Sequence, residues 1–359
     1  MIRRTILCIL AGILSTTTGA IRGASDGETV SPVLPVGQAA SARITDALCD
    51  LPSDDGLRLQ VVLDLSLFAP GKVDGIPGKF TGEAALRWIA RRFTTSPQVL
   101  TEAELNVGLW ALLREARSLP SPTVTYTVTG EDTASLGPLP DSPAARAGLD
   151  SLPYTSTAER LAERFHTDLS TLTRLNPGVR ISTLASGQTL VVPAVVPFHF
   201  PDDVPSSSAS VEDREGIQIV ILHRSRLLEV LNSEDHLLAA FPITVGNKSH
   251  HLRPGTWHII SAVPHPEFRY DTALLETGVR GKEFHLLPPG PNSPVGVLWF
   301  GLAPSDPGVP DAAIGIHGTG SPATIGRSSS SGCIRLANWD IVRFAGFAGI
   351  GTTVRWEDR

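Results

Sequence analysis

Two stretches, His317-Gly318-Thr319 and Ser330-Ser331-Gly332-Cys333-Ile334-Arg335-Leu336, decide the reading of this chain. They set a histidine, a cysteine and an arginine in one Gly/Ser-rich run, with the cysteine 16 positions after the histidine (317 to 333). A thiol attacks as its thiolate, and imidazole is the usual group that takes its proton. Sixteen residues cannot place both side chains on one helical turn, but a loop joining two strands can bring them together. Arg335 has the planar fork that grips a carboxylate. The residue types point to acyl transfer through a cysteine.

Outward from this stretch, short β-favouring runs are separated by turn residues. Ile217–Leu222, Leu227–Leu231, 239–246, 256–263, 296–302 and Ile314–His317 read as strands, with a turn at Asn232–Asp235. Their spacing predicts a mostly-β sandwich or barrel. One helix is expected after the cysteine, over 338–348, with Ile341, Val342 and Phe344 on its apolar side.

Upstream the pattern changes to helical. Leu59, Val62, Leu63 and Leu67 recur at helical spacing, and so do Ala85, Leu86, Ile89 and Phe93. The turn-rich Gly71–Gly78 separates them, and a third helix is expected over 102–117. Val124–Val128 alternates and reads as a strand. Two short helices follow, marked by Ala158, Leu161, Ala162 and Phe165 and by Leu169, Leu172 and Leu175. The second stops at Asn176-Pro177-Gly178, and a strand ends at Pro193.

With 359 residues, the chain is too long for one core and is expected to form several domains. Its 33 Gly and 29 Pro favour turns and linkers over long helices. A formal net charge of −6, with no block of Lys/Arg, excludes nucleic acid as the natural partner. Arg3 and Arg4 precede an apolar run, Ile6–Leu14, too short to span a bilayer and followed by small residues. This reads as an export signal over 1–24, with a membrane anchor as the alternative if it is not cleaved. Removing it leaves Cys49 and Cys333, which an oxidising compartment could join as a disulfide. The Gly/Ser setting of Cys333 favours a thiol there. Cys49 falls in an Asp/Ser/Pro-rich segment read as a loop.

Residues 216–357 resemble the catalytic domain of the bacterial L,D-transpeptidases, the YkuD type. The resemblance rests on Phe241–Gly246, Arg253-Pro254-Gly255-Thr256-Trp257, Leu287–Gly296 and the His317 and Cys333 stretches. Residues 57–119, with Val73-Asp74-Gly75-Ile76-Pro77-Gly78, resemble a small helical peptidoglycan-binding module. Leu175-Asn176-Pro177 and Gly187–Pro193 resemble a LysM module whose usual opening strand is missing or altered. The expected organisation is multidomain α+β: signal 1–24, spacer 25–56, helical module 57–119, LysM-like module with a lead-in strand 120–196, linker 197–215, catalytic domain 216–357.

The resemblance implies roles residue by residue. Cys333 is the nucleophile and His317 the general base, its ring oriented by the Gly318 carbonyl. Amides near Gly332 and Cys333 form the oxyanion site, and Arg335, Ser331 and Ser330 place substrate. The family often has a second histidine where Ser331 stands. The implied substrate is a peptidoglycan tetrapeptide stem, with glycan strands as the second partner, no cofactor and no metal, in the periplasm or cell wall. The alternatives are an inactive wall-binding protein and an L,D-carboxypeptidase that trims stems.

Overall fold

The structure, a computed structural model, describes residues 36–94, 96, 99–200, 216–246, 254–277, 279–307, 314–330 and 332–357. The expected export signal lies outside them, as does most of the linker over 197–215.

Four helices open the fold: α1 (Val36–Cys49), α2 (Ser53–Leu65), α3 (Lys79–Arg92) and α4 (Glu102–Ser118). Helix α1 corrects the expectation of a flexible spacer over 25–56 and of a loop at Cys49. Its Ala-rich sequence has high helix propensity, and Ala40, Ile44 and Leu48 line one buried stripe. Small residues let α1 lie close against α3: a Cβ on Gly82 would sit 1.9 Å from Thr45 Oγ1. Thr101 caps α4, its Oγ1 accepting the Glu104 N–H at 3.3 Å while Glu104 returns a bond to the Thr101 N–H.

The LysM region follows as β1 (Thr123–Thr127), α5 (Pro143–Ala147), α6 (Thr157–Arg164), α7 (Leu169–Leu175) and β2 (Thr189–Pro193). Strand β1 pairs antiparallel with β2 along its whole length. The opening strand thought missing or altered is therefore present as β1. It was hidden because a long insertion, carrying α5, separates it from α6, whereas pairing depends on register rather than chain distance.

The C-terminal unit holds β3 (Gln218–Leu222), β4 (Leu227–Leu231), β5 (Leu237–Pro242), β6 (Val245–Gly246), β7 (Gly255–Pro264), β8 (Phe268–Tyr270), α8 (Thr272–Thr277), β9 (His285–Leu287), β10 (Leu298–Pro304), β11 (Ile314–His317), β12 (Ser328–Ser330), β13 (Ile334–Arg335), α9 (Asn338–Ala345) and β14 (Thr353–Glu357). One sheet runs β13-β11-β10-β7-β14-β3-β4-β5. Its two ends meet through the chain itself. Two residues beyond β5, Thr244 exchanges both backbone hydrogen bonds with Arg335 of β13, each at 2.9 Å. The sheet is thus curled round on itself, in line with the expected mostly-β fold.

Helix α9 fills the inside of the curl. Trp339, Ile341 and Phe344 pack against Phe300, Ile316, Ile334 and Trp257. The helical module covers the outer face of the opposite end, where Val220, Leu222, Leu227 and Leu237 join its core. A buried ion cluster ties these two, Arg87 of α3 reaching Glu229 of β4 at 2.8 Å with Glu83 beside it.

Candidate active site

Strands β11 and β13 are parallel neighbours, with Ile316 opposite Ile334 and His317 opposite Arg335. Side chains alternate along a strand, so Ile316 and Ile334 enter the core while His317, Arg335 and Cys333 share the other face. Cys333 is set one step before the His317–Arg335 pair. The fold brings together the histidine, cysteine and arginine that the sequence singled out. Neither Cys333 nor Cys49 is in a disulfide; Cys49 is exposed at the end of α1, its Sγ 3.7 Å from the Pro77 carbonyl.

His317 is buried and its Nδ1 lies 2.6 Å from the Gly318 carbonyl oxygen. A carbonyl can only accept, so Nδ1 carries the proton and Nε2 keeps its lone pair. Burial, and then the nearby Arg335 charge, push the imidazole down to about 3, against the pull of the Gly318 and Val295 carbonyls. The ring is therefore neutral at physiological pH. Cys333 keeps some solvent contact as a residue, yet its sulfur lies among enough protein atoms that burial raises the thiol above its ordinary value. A Gly315 backbone hydrogen bond and Arg335 partly offset this. Arg335 is itself pulled below its usual range by burial. Its Nε is buried without a hydrogen-bond partner among the described residues.

Gly332 is buried with φ at 119°, a conformation that side chains resist, so its amide is presented in a way other residues would not easily copy. Ser330 lies on β12 in register with Gly246. Ser331 lies outside the described residues. No group of three His, Cys, Asp or Glu side chains among the described residues is arranged to hold a metal.

Three further residues belong to this site. Trp299 stands opposite His317 on β10, its ring stacked on the imidazole with centroids 5.1 Å apart and planes at 15°. Gly315 must lack a side chain because a Cβ there would lie 2.4 Å from the indole. Only the β10–β11 register assigns Trp299 to the histidine. Trp257, by contrast, is a core residue. Asn338, the first residue of α9, is fully buried: its Oδ1 accepts the Thr319 N–H at 3.1 Å and the Val297 N–H at 3.2 Å. Its Nδ2 donates to the Pro291 carbonyl and to Glu163 Oε1 of α6, both at 3.0 Å. A Cβ on Gly296 or Gly318 would lie 2.2 or 2.3 Å from Asn338 Oδ1, so both glycines serve this one contact.

The proline-rich loop before Val295 is bound to the LysM region. Leu152 donates to the Pro289 carbonyl at 2.8 Å, and Asn292 Nδ2 donates to the Pro153 carbonyl at 2.8 Å and to Glu159 at 3.0 Å. A cleft of about 670 Å³ opens along this seam, lined by Tyr154, Arg160, Phe198, Phe200, His265 and Pro291. Neither Cys333 nor His317 lines it.

Residues 216–355 match the family described as YkuD, the L,D-transpeptidase catalytic domain, and residues 156–193 match the LysM domain. A Bacillus licheniformis protein named as the L,D-transpeptidase YkuD is 27% identical over 198 residues, covering 55% of this chain and 92% of its own length. A Salmonella typhimurium protein named as the L,D-transpeptidase ErfK/SrfK is 29% identical over 214 residues, covering 57% and 60%. The solved structure of Bd1075 from Bdellovibrio bacteriovorus superposes with a TM-score of 0.30 at 14% identity, over 42% of this chain and 50% of that one. The chain carries a YkuD-type L,D-transpeptidase catalytic domain at its C-terminal end, with a LysM domain and helices upstream.

Proposed function

We propose that this chain is an exported peptidoglycan L,D-transpeptidase acting through Cys333. The observation that carries the reading is the pairing of His317 on β11 with Arg335 on β13, Cys333 lying just before β13, with the Arg335 charge acting on both the imidazole and the thiol. A neutral imidazole that keeps a lone pair on Nε2, with a neutral thiol on the same face, is the resting form of a base–nucleophile pair. His317 takes the Sγ proton as the sulfur attacks the carbonyl joining the third and fourth residues of a tetrapeptide stem. The oxyanion forms against the Gly332 and Cys333 amides. The C–N bond breaks, and D-alanine leaves with the proton from His317.

The thioester then meets the side-chain amine of a second stem. His317 accepts the amine proton, the C–S bond breaks, and the sulfur regains a proton as the 3→3 cross-link forms. The unpartnered Arg335 Nε suits a substrate carboxylate, which supports a role for this residue in placing the stem. Ser330 and Ser331 take part in placing substrate on this reading. The LysM domain and the seam cleft fit a protein held on glycan strands in the periplasm or wall. Incubation with disaccharide tetrapeptide and mass analysis of the products tests the reaction. Cross-linked dimer and D-alanine support it, tripeptide alone makes the protein a carboxypeptidase, and unchanged substrate removes the reading.

A further inference from the structure

A chain of hydrogen bonds through Asn338 leads from the LysM domain to the peptide plane beside His317. Gly318 C=O and Thr319 N–H belong to one peptide plane. His317 Nδ1 donates to the oxygen of that plane, and Asn338 Oδ1 accepts from its N–H at 3.1 Å. Asn338 Nδ2 then donates to Glu163 Oε1 on α6, and the other Glu163 oxygen is bonded to the Tyr154 hydroxyl. The same Asn338 oxygen holds the Val297 amide, two residues from the Val295 carbonyl that also faces the imidazole. Asn338 and Glu163 are both buried.

We infer that Glu163 of the LysM domain is a positioning residue for catalysis, acting through Asn338 on the peptide plane that orients the His317 ring. The inference rests on the reading of His317 as the base. A planar amide with both of its ends committed is a stiff coupler. If Glu163 is lost, Asn338 keeps one buried N–H without a partner and is held at its nitrogen by the Pro291 carbonyl alone, so the amide is freer to turn. The Thr319 amide then loses a fixed acceptor, and the Gly318 carbonyl is no longer held toward Nδ1. The LysM domain is in this account part of the catalytic site as well as a wall-binding unit. Helix α9 shows the same dependence at its next residue, where Trp339 stacks on His166 of the LysM domain with centroids 5.5 Å apart.

The test uses the full chain and two substitutions, Glu163→Leu and Glu163→Gln. Glutamine can accept from Asn338 with its oxygen and donate to Tyr154 with its nitrogen. Outer-shell partners of this kind are worth roughly 10–100-fold when removed, so Glu163→Leu should lower kcat by about that factor with KM within about twofold. Glu163→Gln should stay within about threefold of the wild type, because it keeps both hydrogen bonds. A residue that only stabilised the fold would move the melting temperature and leave kcat of the folded fraction unchanged.

Selective ¹⁵N labelling of the histidine rings reads the inference without any turnover. His317 should hold its proton on Nδ1 in the wild type and in Glu163→Gln, and show mixed tautomers in Glu163→Leu. Should Glu163→Leu not fold, the wild type still decides: titrating Glu163, with Tyr154 and Glu159 the titratable groups facing it, should shift the His317 ring signals. That shift should vanish in Glu163→Gln. A folded Glu163→Leu with wild-type kcat and tautomer overturns the inference. So does Glu163→Gln failing as badly as Glu163→Leu, or a His317 signal blind to Glu163. A wild type that turns over nothing overturns the transpeptidase reading, and the ring spectra still decide this one.

Discussion

Trp299 lies directly across the β10–β11 ladder from His317, with its indole stacked on the imidazole at 5.1 Å. The indole closes one face of the ring and leaves its Nδ1 edge to the Gly318 carbonyl. It also excludes water, which helps keep the ring neutral.

Trp299→Phe should preserve the stack and most of the activity. Trp299→Ala should open the face, let water in, raise the His317 pKa and lower kcat by roughly 10–100-fold, as for other groups that hold a catalytic side chain in place. Steady-state kinetics on tetrapeptide substrate, with circular dichroism to confirm folding, checks both.

The pH dependence follows from the two shifts. His317 is pushed down to about 3, so its basic form is complete from about pH 4 upward and no acid limb near 6.5 should appear. The Cys333 thiol is raised, so its thiolate grows in only above the ordinary thiol range. Alkylation of Cys333 by iodoacetamide, followed by peptide mass mapping in a Cys49→Ser background, should rise monotonically with pH and show no step near 6.5. Arg335→Ala should shift the rise to still higher pH, because Arg335 lowers the thiol value.

Glu163 makes a second pH prediction. Burial raises its carboxyl to about 8, against the opposing effect of bonds from Tyr154 and Asn338. The folded state therefore holds the proton more tightly than the unfolded state, whose carboxyl titrates near its ordinary 4.5. The associated stability is complete below about 4.5 and is lost as pH rises through about 8. At about 1.4 kcal/mol per unit, a few kcal/mol separate the two ends. Urea unfolding at pH 5 and pH 8.5 should show wild-type stability falling by that order, with a flatter profile for Glu163→Gln.

The fold and the Cys333–His317 pair were legible because both lie in local patterns: glycine-flanked short strands and a spacing that only a strand pair can close. Trp299, Asn338 and Glu163 were not. Each acts through a contact fixed by register or by domain docking, and a lone Trp, Asn or Glu in sequence carries no mark of that. Composition hides helix α1, although Ala40, Ile44 and Leu48 stand at four-residue spacing. The strand that pairs with β2 is hard to see in sequence because a long insertion separates β1 from α6.

The junction of all three parts supplies a stability prediction. Asp64 of α2 meets His166 of the LysM domain at 3.0 Å and Arg343 of α9 at 3.0 Å, with Asp340 also on Arg343. Burial would raise Asp64, but Arg343 and His166 hold it below its ordinary value. Arg343→Met leaves two buried carboxylates facing one histidine and should cost about 3–5 kcal/mol in urea unfolding. Removing the exposed Arg43–Glu102 pair should cost under about 1 kcal/mol.

The most direct measurement is the intact mass of the protein after brief incubation with a tetrapeptide stem and acid quench. A tripeptide acyl group is expected on the Cys333 peptide, with an equivalent of D-alanine released, and neither with Cys333→Ala. Cross-linked product that survives Cys333→Ala, or an acyl group found on any other residue, would contradict it.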